Sequence, residues 1–155
     1  MPLRKSKGNV YPWVSDFKYP WMAGFTDGEG WIGISKQVRE ERPSPAYRCV
    51  IAISNQKKKS LDVFREEYGG KVRKEKDCYR WHCPSGSFRY FLMTISPFLI
   101  LKKQQAFLIW EYILVIEKKY GSKSLTDQDV ELREKYYQAI KEINRNKFRR
   151  ENALK

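Results

Sequence analysis

The sequence predicts an α+β domain in which a four-stranded antiparallel sheet is covered by helices on one face. Three observations predict it. Apolar residues alternate with period two in two separate pairs of short runs. Helical periodicity precedes, separates and follows those pairs. Glycine or proline clusters punctuate each change of period. The 155 residues are enough for one domain with its own core. Residues 1–18 read as a basic, proline-punctuated arm and residues 19–155 as the domain.

The first helix is expected to open at Pro20, because the first turn tolerates a residue without an N–H. It should run through Asp27 and stop at Gly28–Gly30. "WIGISKQVRE" alternates as a strand, "ERPSPA" is a loop with two prolines, and "YRCVIAIS" is the returning strand of a long hairpin. "KKKSLDVFREEYGGKV" carries Leu61, Phe64 and Tyr68 on one helical stripe and closes at Gly69–Gly70. "KVRKE" and "DCYRWHC" form the second hairpin. Two further helical segments are separated near Pro97. The more apolar of them, "AFLIWEYILVI", is too short to cross a bilayer, contains Glu111, and is expected to be buried. The last helix starts near Thr126, with Asp129 completing a capping box. Its stripe is Val130, Tyr136 or Tyr137, Ile140 and Ile143.

Charge narrows the function. Thirty-one Lys and Arg face 18 Asp and Glu, a net charge of +13, on a chain rich in aromatic residues. That combination points to a polyanionic partner, nucleic acid, over a basic protein merely kept soluble by its charge. From Arg133 onward eight Lys/Arg stand against three Glu, which suits either a DNA-facing surface or a solvated face. Cys49, Cys78 and Cys83 are odd in number and irregularly spaced, so the expected setting is intracellular and reducing, without a disulfide frame. In "CYRWHC" a strand puts Cys78, Arg80 and His82 on one face and Cys83 on the other, a poor zinc geometry, and no zinc is expected. A single histidine also disfavours His-dependent triads.

The stretch "PWMAGFTDGEG" poses the main chemical question. Asp27 and Glu29 fall where a helix ends, and a helix C-terminus already carries partial negative charge. A bound divalent cation would offset that field, taking oxygen ligands from a carboxylate, a terminal carbonyl and DNA phosphate. Gly24 and Gly28, with Ala23 beside them, form a smooth helix face that lets two backbones approach. Packing of that face on its own copy would bring two Glu29 carboxylates to one axis, a centre able to cut both strands of a duplex.

"MAGFTDGEG" resembles the single motif of the LAGLIDADG homing endonucleases. The resemblance extends from about Trp21 to Ile116. It includes "WIGI" after the motif, the strand–polar–helix–glycine segment "ISNQKKKSLDVFREEYGGKV", "YRW" at the fourth strand, and "FLILKKQQA" before a long helix. It implies an αββαββα unit acting as a homodimer, with Ala23, Gly24, Asp27 and Gly28 at the interface; Asp27 is also structural, near the helix end. It implies metal binding by Glu29, where the family more often has Asp, and by the Gly28 carbonyl. Lys102 matches the basic residue near the scissile phosphate, with Lys103 next. Gln56 matches the polar residue that orders water, with Asn55 as the alternative.

The implied reaction is site-specific, metal-dependent phosphodiester hydrolysis. It gives a staggered double-strand break with 3′ overhangs in a long pseudo-palindromic DNA site, in the service of an intron. An all-oxygen ligand set favours Mg²⁺, with Mn²⁺ able to substitute. On the sheet, alternation turns Trp31, Gly33, Ser35, Gln37 and Arg39 to DNA, then Arg48, Val50 and Ala52, and on the second hairpin Lys71, Arg73, Glu75, Arg80 and His82. Lys57, Lys58 and Lys59 suit phosphates. Because relatives of this fold bind intron RNA, a splicing maturase is the rival reading, and a non-cleaving nucleic-acid-binding protein is the third.

Overall fold

A computed structural model describes residues 14–117 and 125–153 of the chain. The elements are α1 (Val14–Glu29), β1 (Gly30–Gln37), β2 (Ala46–Asn55), α2 (Lys58–Tyr68), β3 (Val72–Glu75), β4 (Cys78–His82), α3 (Phe88–Ile95), α4 (Lys103–Glu117) and α5 (Asp127–Ala153), with short 3₁₀ turns flanking α3. The four strands form one antiparallel sheet in the order β1-β2-β4-β3. The fold class and both hairpins agree with the expectation.

Two features differ. Val14–Lys18, assigned to the arm, form the first turns of α1, and Pro20 lies inside that helix rather than at its start. The proline removes the hydrogen bond to the carbonyl four residues back. Tertiary contacts offset that loss. The Glu67 carboxylate of α2 accepts hydrogen bonds from Lys18, from Tyr19 at 2.7 Å and from Tyr90 of α3 at 2.7 Å, tying the early turns of α1 to two other helices. Residues 1–13 of the expected arm lie outside the described residues. The second difference is α4. Ala106, Ile109, Tyr112 and Ile113 are buried, but Phe107 and Leu114 face solvent. The helix has a single layer of sheet and helices to pack on, so only one side of it is covered.

The core lies between the sheet's inner face and the helices. Ile32 and Ile34 of β1, Ile51 and Ile53 of β2 and Trp81 of β4 meet Met22, Leu61, Phe64, Phe91 and Ile109. Trp81 is fully buried among Phe64, Tyr68 and Phe91, with ring centroids 5.4–6.1 Å away. Its indole N–H donates to the Gly69 carbonyl at 2.8 Å, so the burial leaves no orphaned donor. Removing one such side chain from water contributes about 2–3 kcal/mol. α2 ends as expected on Gly69, at φ 79°. The capping box of α5 is reciprocal: the Asp129 N–H donates to Thr126 Oγ1 (3.3 Å), and the Thr126 N–H donates to Asp129 Oδ2 (3.0 Å). Val130, Tyr136, Tyr137 and Ile140 of α5 pack on the core, so both tyrosines of the ambiguous pair take part. No described helix is long and apolar enough to cross a membrane.

Candidate nuclease centre and nucleic-acid interface

α1 passes into β1 without a loop: Glu29 is the last helical residue and Gly30 the first of the strand. Gly30 is required for this junction, because a Cβ there would stand 2.6 Å from the Thr26 carbonyl oxygen and 2.9 Å from its methyl group. The two acids of the motif have different fates. Asp27 is 7% exposed, and its carboxylate accepts the backbone N–H groups of Ile100 (2.8 Å) and Lys102 (2.9 Å). Glu29 is exposed and has no hydrogen-bond or ion-pair partner among the described residues.

Glu29 stands at one wall of an open cavity of about 610 Å³. Ser54, Asn55, Gln56 and Lys57, from the end of β2 and the turn into α2, form the rest with Cys78 at the start of β4. The structure therefore brings Glu29 and Gln56 to one site. It also separates the two candidates for the polar position. Asn55 Oδ1 accepts the Lys57 N–H at 2.8 Å and closes the turn into α2, whereas the exposed Gln56 side chain has no partner among the described residues.

Lys102 differs from the expectation. It is 5% exposed and its amine donates to the Asp27 carbonyl at the end of α1. There it offsets the negative helix terminus. It is held under the helix end instead of projecting into the cavity. Lys103 also departs: with Leu92, Met93, Ala106, Phe107 and Trp110 it lines a groove between α3 and α4, in the helical layer and away from the ribbon.

The donor set suits a hard cation. Glu29 offers a carboxylate without a partner among the described residues, and the last carbonyls of α1, Gly28 included, lack helical partners. One chain supplies too few ligands: among the described residues no group of three or more His, Cys, Asp or Glu stands together as a metal site.

The small-residue face also divides. Gly24 and Gly28 are exposed, and a Cβ on either would meet nothing within 4 Å. Ala23 is fully buried in the chain's own core and Asp27 is buried in its loop contacts, so these two do not belong to the exposed face. Phe17 and Trp21 are exposed on the same helix, and the spacing 17, 21, 24, 28 defines one stripe. Ile100, 84% exposed, and Leu101 lie next to the helix end through the Ile100–Asp27 bond. Sequence reasoning missed these four. Extending the glycine spacing upstream from Gly24 finds Phe17 and Trp21; no local pattern marks Ile100 and Leu101.

On the outer face of the sheet, register aligns Trp31 with Ala52 and His82, Gly33 with Val50, Ser35 with Arg48, and Ser54 with Arg80 and Arg73. Arg48, Arg73 and His82 are exposed, as are Gln37 at the end of β1 and Arg39, which falls in the loop because the strand, expected to run to Glu40, stops at Gln37. Lys71 precedes β3 and is exposed, as are Lys57, Lys58 and Lys59 before and within α2. Arg80 is half-buried: its guanidinium donates to Ser54 Oγ (2.9 Å) and pairs with Glu75 (3.1 Å). Burial, with the Arg80 and Arg73 charges, lowers the His82 pKa, so the ring is neutral near pH 7. Gly33 and Ala52 lie on the outer face by alternation but are buried.

No family model matches the sequence, and no curated protein matches it by sequence. Solved structures do match it by shape. The homing endonuclease I-CvuI, crystallised with the I-CreI target in the presence of 2 mM Mg with the DNA not cleaved, superposes with a TM-score of 0.70 at 22% identity over 84% of each chain. The archaeal intron-encoded homing endonuclease I-Vdi141I, complexed with DNA, gives 0.59 at 17% identity over 79% of this chain and 98% of that one. The LAGLIDADG meganuclease I-AabMI, bound to uncleaved DNA, gives 0.65 at 10% identity over 84% of this chain and 53% of that one. With the motif helix running straight into the edge strand of a β1-β2-β4-β3 sheet, these likenesses give the chain the LAGLIDADG fold.

Proposed function

We propose that the chain is a site-specific, divalent-metal-dependent DNA endonuclease of the homing type, working as a homodimer. The observation that carries the reading is the unpartnered Glu29 carboxylate at a helix end, facing Gln56 across an open cavity. A sheet face bearing Arg48, Arg73 and His82 adjoins it. Two supports favour a pair of chains. The stripe of Phe17, Trp21, Gly24 and Gly28 lies open on α1. The chain also matches about half of the I-AabMI chain and nearly all of the I-Vdi141I chain. A second copy across that stripe doubles the carboxylates that one chain supplies singly, one for each DNA strand.

Each side chain then has a role set by its position. Glu29 and the Gly28 carbonyl hold the cation, Mg²⁺ by preference and Mn²⁺ in its place. When bound, that ion supplies charge stabilisation at the phosphate and activation of water. Gln56 orients water within the cavity. Lys57, at the rim, takes a phosphate. Lys102 acts through the helix end, where its amine offsets the negative terminus of α1 beside Glu29. Trp31, Ser35, Gln37, Arg39, Arg48, Arg73, Arg80 and His82 read or clasp the duplex. Symmetry makes the target long and pseudo-palindromic. The family resemblance adds a staggered break and an intron-borne gene.

The test is cleavage of a plasmid library with Mg²⁺ or EDTA, with wild type and Glu29→Gln side by side. Wild type cuts at a recoverable site with Mg²⁺ only, and Glu29→Gln binds that site without cutting it. Normal cutting by Glu29→Gln removes Glu29 from the centre. No cutting by either protein, with tighter binding to intron RNA than to the intronless DNA junction, replaces the endonuclease by the maturase reading.

A further inference from the structure

The outer face of the sheet is polar at its ends and apolar in the middle. Trp31 is 42% exposed two residues after Glu29. Its indole lies along β1 over Gly33: a Cβ at position 33 would stand 2.7 Å from two carbons of the six-membered ring. Any side chain at 33 would lift the ring off the strand, so glycine there holds the indole flat. One ring face covers backbone and the exposed remainder is turned outward. Val50, the half-buried cross-strand partner of Gly33, extends the same apolar surface, and the buried Ala52 lies opposite Trp31. Ser35, Arg48, Ser54, Arg80 and His82 surround it on the sheet.

We infer that this Trp31 plate reads the C5-methyl group of a thymine next to the cleavage position in each half-site; the inference rests on the proposed DNA binding. In the major groove the bases present hydrogen-bond donors and acceptors, and the thymine methyl is the one bulky apolar group. Apart from the Trp31 indole N–H the plate offers no donor or acceptor, so it gains little from a guanine or adenine edge and leaves most of that edge dehydrated and unpaired. Against thymine it buries a methyl group. The sequence pattern gives Trp31 as a residue facing DNA; the contact with Gly33 adds its orientation and hence the group it reads. Trp31 follows Glu29 by two residues, so the thymine falls near the cut and not at the outer ends of the site.

The experiment uses the full chain and a duplex recovered from the cleavage library, with each thymine replaced singly by deoxyuridine, which removes the methyl and nothing else. Binding is measured with Ca²⁺ in wild type, Trp31→Ala and Arg48→Ala, and thermal melting checks that each variant is folded. Wild type loses about fourfold in affinity, the worth of one buried methyl, at one thymine in each half-site near the cut. Trp31→Ala binds thymine and uracil duplexes equally there. Arg48→Ala weakens both alike and keeps the fourfold ratio. If wild type tolerates uracil at every position, or a folded Trp31→Ala keeps the penalty, the inference is wrong while the DNA reading stands. If no duplex is cut or bound, both fall.

Discussion

Asp27 and Lys102 hold each other twice: the Lys102 backbone N–H donates to the Asp27 carboxylate at 2.9 Å, and the Lys102 amine donates to the Asp27 carbonyl. The carboxylate also takes the Ile100 N–H at 2.8 Å. Distant parts of the chain are thereby locked at the end of the motif helix, which answers why an acid sits there. Asp27→Ala leaves two N–H groups without their acceptor. The Lys102 N–H is buried and the Ile100 N–H only partly so; an unsatisfied buried group costs about 1–3 kcal/mol, so urea denaturation should register a loss of about 1–4 kcal/mol. A loss below about 0.5 kcal/mol would show that the clasp is not formed in solution.

Glu29→Gln should behave in the opposite way. The side chain is exposed and unpartnered among the described residues, so the substitution should leave stability within about 0.5 kcal/mol of wild type. Denaturation curves of the two proteins should superpose while their cleavage differs. A large drop in stability would assign Glu29 a structural role.

Gly24→Leu separates fold from assembly. A Cβ at 24 meets nothing within 4 Å among the described residues, and leucine raises helix propensity by about 0.8 kcal/mol over glycine. The expected variant is a chain as stable as wild type that sediments as a monomer and no longer cuts. Unchanged sedimentation of an active variant would place the dimer seam elsewhere.

Glu134 of α5 joins that helix to the sheet. It accepts from the Tyr47 hydroxyl, the Lys36 amine at 2.9 Å and the Gln138 amide at 2.7 Å. These donors, Tyr47 foremost, lower its carboxyl from 4.5 to about 2. A depressed folded-state pKa contributes stability that is fully present above the unfolded value near 4.5 and lost as pH falls toward 2. The melting temperature of wild type should therefore fall more steeply over that window than that of Glu134→Gln. Parallel slopes would remove the contact from the ledger of acid sensitivity.

Burial pushes the Cys49 and Cys83 thiols up to about 12, leaving almost no thiolate at pH 8. Cys78 lines the cavity shared by Glu29 and Gln56. An aromatic disulfide reagent should modify one thiol rapidly in the folded protein and three after unfolding, and the adduct on Cys78 should stop cleavage. Rapid release of three equivalents from the native chain, or full activity of the adduct, would contradict this arrangement.

What was legible in the sequence had local causes. Alternation located all four strands, and the stripe Leu61–Phe64–Tyr68 gave α2 its buried face. Thr126 and Asp129 gave the start of α5 because their cap closes within four residues. Pro20 misplaced the start of α1 because the contacts that hold its early turns come from Glu67 and Tyr90, far along the chain. Glu29 was legible from its position in the motif. The burial of Lys102 was not, because its partner at Asp27 is 75 residues away. Ala23 and Gly24 are neighbours in sequence, but 100° of helix puts one in the core and leaves the other open.

The direct passage from Glu29 to Gly30 has a practical consequence for redesign. With no hinge between them, and a Thr26 carbonyl that forbids a side chain at position 30, the proposed scission and recognition would belong to one rigid unit. Substituting outward-facing strand residues should change which bases are preferred and leave unmoved the phosphodiester bonds that are broken.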